Sequence, residues 1–230
     1  MLFKKKQAAL PPLPAGFTVT AHSGAFNTPD NSLEFIKRVL AEGCGVIEMD
    51  VTFRPSGTPV IVHDGAPKET EGVLLAEAFA LIAGSPALRM NLDLKSTANL
   101  PAIDALLREY GLTDRAFYTG VGKDWAPAVK AASAVPYYLN LDTSRAARTD
   151  PAAADALSET VLSFGAIGLN VHYDSVSALN VSSAHAHGLL ASLWTANNEP
   201  AMLKCLAMAP DNITTCHPDK LKALMRRKQV

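Results

Sequence analysis

The 230-residue chain has no excess of positive charge: 21 Lys and Arg stand against 22 Asp and Glu, a formal net charge of −1. A nucleic-acid-binding surface usually shows as a basic surplus, so no nucleic-acid partner is expected. Cysteine is scarce, and the three present, Cys44, Cys205 and Cys216, lack metal-ligand spacing and are odd in number. That excludes a disulfide framework and points to a reducing compartment, with the cytoplasm as the expected location. No apolar run approaches the ~20 residues needed to span a bilayer, so no stable membrane insertion is expected. The opening MLFKKKQAALPPLP has the lysines of a secretory leader without its apolar stretch, because Gln7 and three prolines intervene. Lys4 to Lys6 fall short of the ~4–8 basic residues of a lipid-binding cluster and read as a solvated terminus. No Gly-rich dinucleotide loop follows the first predicted strand, and Gly120-Val121-Gly122-Lys123 lacks the spacing of a P-loop.

What is present is a chain that is 48% hydrophobic and 19% charged, enough to fill a sizeable core. Apolar, β-branched runs recur at 17–22, 45–53, 88–95, 116–120, 135–142, 166–173, 189–197 and 212–218. Helical patterns start between them, near Ser32, Leu74, Leu100, Trp125, Pro151, Val176, Pro200 and Pro218. Proline in the first turn and glycine just past the last support these bounds. Strands alternating with helices predict parallel βαβ units, and eight of them predict a (β/α)8 barrel of the α/β class. A doubly wound open sheet is the rival. The whole chain, 1–230, is then a single barrel domain with residues 1–15 as an N-terminal extension. After the second strand, RPSGTP followed by PVIVHD predicts a hairpin that returns His63 toward the same end of the sheet.

Barrel strands are buried on both faces, so an ionisable residue within one needs a reason. Side chains alternate along a strand, so Glu48 and Asp50 share a face, as do Asp93 and Lys95. Thr18, Thr20 and His22 share a face of the first strand. The charged groups stand at the C-terminal ends of their strands, where barrel enzymes carry their chemistry. Three carboxylates converging there would repel one another unless a hard divalent cation or an ion pair with Lys95 neutralises them. Oxygen-rich, thiolate-free ligation favours Mg2+ or Ca2+, with Mn2+ as a further candidate. For one ion to be shared, oxygens of Glu48, Asp50 and Asp93 must come within about 5 Å of each other.

The segments AHSGAFNTPDNSLEF, GVIEMDVTF, VIVHDG, MNLDLKS and SLWTANN together resemble the glycerophosphodiester phosphodiesterase family, over about residues 17 to 218. His22-Ser23-Gly24 stands for its His-Arg-Gly, Pro29-Asp30-Asn31-Ser32 for its Pro-Glu-Asn-Thr, and Glu48-x-Asp50 for its metal pair. His63-Asp64, Asp93-Leu94-Lys95 and Trp194-Thr195-Ala196-Asn197 complete the series. The resemblance implies a barrel enzyme of lipid metabolism that hydrolyses glycerophosphodiesters, small-molecule substrates, to glycerol phosphate and an alcohol with a divalent metal. Ser23 replaces the family's arginine, Thr215-Cys216-His217-Pro218 replaces its Thr-Asp-x-Pro, and the small insertion usual after His63 is missing. Asp-Leu-Lys also resembles phospholipases D of the sphingomyelinase D type.

A mechanism consistent with both readings uses Glu48, Asp50 and Asp93 as metal ligands and Lys95 as a partner of a phosphate oxygen. His22 and His63 serve as general acid and base, in an order that the sequence leaves open. Trp194 is either an apolar wall for the alcohol or a core residue, and Asn31 either bonds a site group or caps a helix. The alternatives are a phosphodiesterase or lyase that releases a cyclic phosphate, acting on lysophospholipid or sphingolipid, and a barrel that binds phosphodiesters without turning them over. Cys216 is expected to be a packed thiol, and His185 and His187 surface histidines.

Overall fold

The computed structural model describes residues 10–228. Lys4 to Lys6 lie outside them. In chain order the elements are β1 (Thr18–Ala21), α1 (Leu33–Ala41), β2 (Val46–Phe53), β3 (Pro59–Ile61), β4 (Val73–Leu74), α2 (Leu75–Ala83) and β5 (Arg89–Leu94). They continue as α3 (Leu100–Glu109), β6 (Ala116–Val121), α4 (Ala126–Ala132), β7 (Tyr137–Asn140), α5 (Arg145–Thr149), α6 (Pro151–Phe164) and β8 (Gly168–His172). The last five are α7 (Ala178–Ala186), β9 (Leu190–Trp194), α8 (Glu199–Ala207), β10 (Asn212–Thr215) and α9 (Pro218–Lys228).

Strands β1, β2, β5, β6, β7, β8, β9 and β10 pair side by side in parallel, and β1 pairs with both β10 and β2. The sheet is therefore closed, as the alternation of strands and helices predicts, and the open-sheet rival is excluded. Strand β3 runs antiparallel to β2, with Val51 opposite Ile61, so the expected hairpin is there. Between it and β5 the chain adds the short β4 and α2. One element departs from strict alternation. The segment after β7 forms α5 before α6, because Asp150 caps α6 and Pro151 supplies no N–H to continue a helix through.

Each helix seals the outside of the barrel for a local reason. In α1, Phe35, Ile36 and Val39 recur at helical spacing and are fully buried, while Ser32 accepts the Phe35 N–H and caps the first turn. Such a cap stabilises by about 1 kcal/mol. The outward strand residues Ile47, Met49, Val51, Leu92 and Leu94 meet these helices in one continuous apolar layer. Leu10 and Leu13, in the stretch expected as an extension, also rest on it.

The barrel interior differs. Its apolar part is a small separate cluster of Val46, Phe117 and Tyr138 with Ile167. Above it lie buried polar side chains, among them Thr20, Asn91, Thr119, Asn170, Ser192, Asn212 and Thr214. Most barrels fill these positions with branched apolar residues. Here the groups satisfy each other, as burial demands. Asn212 Oδ1 accepts from the Thr18 and Thr20 hydroxyls at 2.9 and 2.7 Å, and its Nδ2 donates to Ser192 Oγ at 3.0 Å. Among the described residues no helix is long and apolar enough to cross a membrane.

Candidate active site

The C-terminal ends of the strands surround a cavity of about 460 Å³, within the usual size of a small-molecule site. Of the eight residues singled out in the sequence, His22, Glu48, Asp50, His63, Asp93, Lys95 and Trp194 line it. Asn31 does not.

Ligand oxygens of Glu48, Asp50 and Asp93 lie within 4.8 Å of one another, so the convergence that a shared ion requires is met. Strand pairing sets this distance, since Glu48 is registered with Asn91 and Asp50 with Asp93. The donor set is all carboxylate oxygen, the chemistry of a hard divalent cation. Lys95 Nζ lies 2.9 Å from Asp50 Oδ1 and 2.5 Å from Asp93 Oδ2. Burial disfavours its charge, but Asp93 and Asp50 outweigh that and hold the ammonium above its ordinary range. The second oxygens are also occupied: Thr119 donates to Asp93 Oδ1 at 2.6 Å, and Asn31 Nδ2 to Asp50 Oδ2 at 2.7 Å.

Asn31 thus answers one question left open by the sequence. The cap of α1 is Ser32, and Asn31 bonds Asp50 twice, its Oδ1 also accepting the Asp50 N–H at 2.9 Å. It stands behind the carboxylate and positions it. Its backbone is left-handed, with φ of 48°, and its N–H donates to Ser23 Oγ at 2.7 Å. Ser23 is buried and donates its own N–H to Glu48 Oε2 at 2.8 Å. The residue at the family's arginine position therefore braces the carboxylates from behind, and its hydroxyl is engaged by Asn31. Gly24 completes this turn at φ of 75°, where a Cβ would fall 1.9 Å from Asp30 Oδ1. Replacing Asn31 with Ala is expected to weaken divalent-ion affinity about 10- to 100-fold. It should also cost about 1–3 kcal/mol of stability, because the buried Asp50 N–H loses its acceptor. Metal titration and urea denaturation check the two effects.

His22 and His63 differ in surroundings. His63 is exposed at the rim. The His22 ring is half-buried, with Nδ1 2.8 Å from the Ser23 carbonyl and Nε2 4.0 Å from Glu48 Oε2. The carbonyl accepts only, so Nδ1 carries a proton and Nε2 is the atom presented to the site. Burial lowers the His22 pKa, but the Cys216 side chain, Glu48 and the Ser23 carbonyl raise it to about 10. Cys216 Sγ lies 3.8 Å from His22 Nδ1, a neighbour that no sequence spacing could show across 194 residues. Trp194 meets the edge of His172 at 5.4 Å between ring centres. His185 bonds Asp211 at 2.8 Å, away from the cavity lining.

Burial raises the Glu48 pKa to about 8, with Asp50 and Asp93 adding to the rise and His22 opposing it. A carboxyl raised above its unfolded value near 4.5 stabilises the metal-free fold fully below that pH and loses the contribution as pH climbs through about 8. A bound cation needs the ionised form, so its affinity changes in the opposite sense. The metal-induced rise in Tm is expected to be larger at pH 9 than at pH 6, with proton release on binding near neutral pH. Thermal scans with chelator and with Mg2+, Ca2+ or Mn2+ test this.

Sequence reasoning missed Asn91, Thr119, Trp125, Asn140 and Asn170, which also line the cavity. For Asn91, Thr119, Asn140 and Asn170 the signal was present, as polar residues at inward positions of otherwise apolar strands, whereas Trp125 sits in the turn before α4. Gly120, at the end of the apolar run 116–120 and excluded as part of a P-loop, also has a role that the sequence does not show. Its φ is 75°, and a Cβ there would lie 2.4 Å from the Leu94 carbonyl oxygen and 3.2 Å from Asp93 Oδ1. Glycine lets β6 approach the carboxylate this closely.

No family model and no curated protein matches the sequence. Solved structures do. A candidate glycerophosphoryl diester phosphodiesterase from Silicibacter pomeroyi superposes with a TM-score of 0.77 at 20% identity, over 96% of each chain. A phosphodiesterase from Oleispira antarctica, solved with the product sn-glycerol-3-phosphate, gives 0.76 at 20% identity, over 93% of this chain and 97% of that one. A glycerophosphodiester phosphodiesterase from Parabacteroides distasonis gives 0.76 at 16%, over 93% and 98%. At these identities the likeness establishes the fold: this chain has the (β/α)8 barrel on which those three proteins are built.

Proposed function

We propose that the protein is a metal-dependent phosphodiesterase that hydrolyses glycerophosphodiesters to glycerol phosphate and an alcohol. The observation that carries this reading is the meeting of Glu48, Asp50 and Asp93 within 4.8 Å, beside Lys95 and His22, in one cavity. The product-bound Oleispira antarctica structure of the same fold supports it.

Glu48, Asp50 and Asp93 would hold one divalent cation, Mg2+, Ca2+ or Mn2+. The cation would supply charge stabilisation to a non-bridging phosphate oxygen as negative charge builds in the transition state. Lys95 pairs with a second phosphate oxygen as a point charge, turning from one of its two carboxylates. His22 presents Nε2, stays charged at neutral pH and donates its proton to the departing alkoxide. His63, exposed at the rim, takes the proton of the attacking water. Trp194 forms an apolar wall beside them.

Glycerophosphodiesters are assayed with each of the three ions, with and without chelator. Turnover dependent on one of the ions is the expected result, and equal turnover in excess chelator would overturn the mechanism. Phosphorus NMR of the products separates glycerol phosphate from a cyclic phosphate. The cyclic product would show that a substrate hydroxyl, not water, attacks. A cytoplasmic location fits this chemistry and is checked by fractionation.

A further inference from the structure

The cavity has two unlike halves. Its ionisable lining, His22, Glu48, Asp50, His63, Asp93 and Lys95, comes from β1, β2, β5 and the loops beside them. Across the barrel, β7 to β9 contribute Asn140, Asn170 and Trp194 and the turn between β6 and α4 contributes Trp125, with no charged side chain among them. The chain has only two tryptophans, and both stand here.

The two asparagines are oriented by the backbone. The Gly120 N–H can only donate, and it donates to Asn140 Oδ1 at 2.9 Å. That bond fixes which way the amide points, so Asn140 Nδ2 turns away from it. Asn170 Nδ2 donates to the same Oδ1 at 3.1 Å, which leaves Asn170 Oδ1 as the other free group. Among the described residues neither Asn140 Nδ2 nor Asn170 Oδ1 has a hydrogen-bond partner. The uncharged half therefore offers a donor and an acceptor side by side, between two aromatic side chains.

We infer that this half receives the alcohol arm of the diester and selects a neutral polyhydroxylated group, a polyol or sugar alcohol, over a quaternary ammonium. The inference rests on the phosphodiesterase reading, which places the phosphate over β2 and β5. A hydroxyl both donates and accepts, so adjacent hydroxyls satisfy Asn140 Nδ2 and Asn170 Oδ1 together. A trimethylammonium group has no lone pair and no N–H. It would cover both amides and leave them unpaired, which a polar site discriminates against strongly. Tryptophan attracts a quaternary ammonium as well as the C–H surface of a polyol, so the choice between them falls to the two amides, which only the hydroxylated group satisfies.

The test compares kcat/KM for glycerophosphoinositol, glycerophosphoglycerol and glycerophosphocholine on the full chain, in the ion that supports turnover. The expected result is a preference of about tenfold or more for the two hydroxylated diesters. Asn140→Asp retains the acceptor for the Gly120 N–H and Asn170 Nδ2, Asn170→Asp exchanges its donor to Asn140 Oδ1 for an acceptor, and each places a negative charge in the half of the cavity that the tryptophans line. Each should shift the choline-to-inositol ratio at least about tenfold toward choline. Calorimetric binding of the same three diesters, with chelator present, reads the subsite without turnover. Choline binding or turning over as well as the hydroxylated diesters in the wild type, or ratios unmoved in both variants, would overturn the inference. Failure to turn over any diester would count against the phosphodiesterase reading, while the binding order would still decide the inference.

Discussion

Asp50→Asn is expected to lower ion-supported kcat/KM by on the order of 10²–10³ or more, the scale of losing one group that stabilises transition-state charge. The variant keeps the size of the side chain and an oxygen to accept from Asn31, so the loss follows from the missing charge. Two opposing effects act on stability. Lys95 is left with Asp93 as its carboxylate partner, which costs stability, and Glu48 loses one of the charges that raise its pKa, which restores some. Metal-free Tm should therefore change little, while the Tm gain on adding ion should largely disappear. A mere ion-pair network around Lys95 predicts the reverse: a lower Tm in chelator, with no dependence of activity on ions. The two measurements together separate the readings.

The second large effect is expected at His22. Converting it to Gln should reduce kcat by about 10²–10⁴, the usual contribution of a positioned acid or base. Its role as proton donor makes a further prediction. A diester with an activated leaving group, such as a p-nitrophenyl ester, needs no protonation of the departing oxygen. His22→Gln should recover most of its rate on that substrate, and His63→Gln should not. Recovery in His63→Gln alone would exchange the two roles. The environments predict the first outcome: His22 sits against Glu48 and the Ser23 carbonyl, which favour its charged form, and His63 is exposed.

Much of this was legible in sequence, and for identifiable reasons. Glu48 and Asp50 are two residues apart on a buried strand, so alternation alone put them on one face, and the same holds for Asp93 and Lys95. Glycine and proline at the ends of periodic runs marked the helices. Two short elements escaped: β4, because the run at Leu74 reads as a helix start, and α5, because Asp150-Pro151 reads as the start of a helix and gives no sign of the turn before it. The polar interior was legible too, but went unread. Asn91, Asn140, Asn170 and Asn212 interrupt apolar strands at inward positions, and their meaning depends on neighbours from other strands.

The sequence by itself determined the alternation of strands and helices and the strand ends at which the charges gather. Periodicity and alternation are local properties, carried by residues a few positions apart. Tertiary structure decided how those residues are used. It made Asn31, which the sequence left between helix cap and site partner, the brace of Asp50, and it buried Ser23 beneath the carboxylates. It brought Cys216 to His22 across the seam between β10 and β1, and divided the cavity into a charged half and an amide-lined half. Those outcomes depend on contacts between strands distant in the chain, where strand register and barrel closure, not spacing along the chain, set which side chains meet.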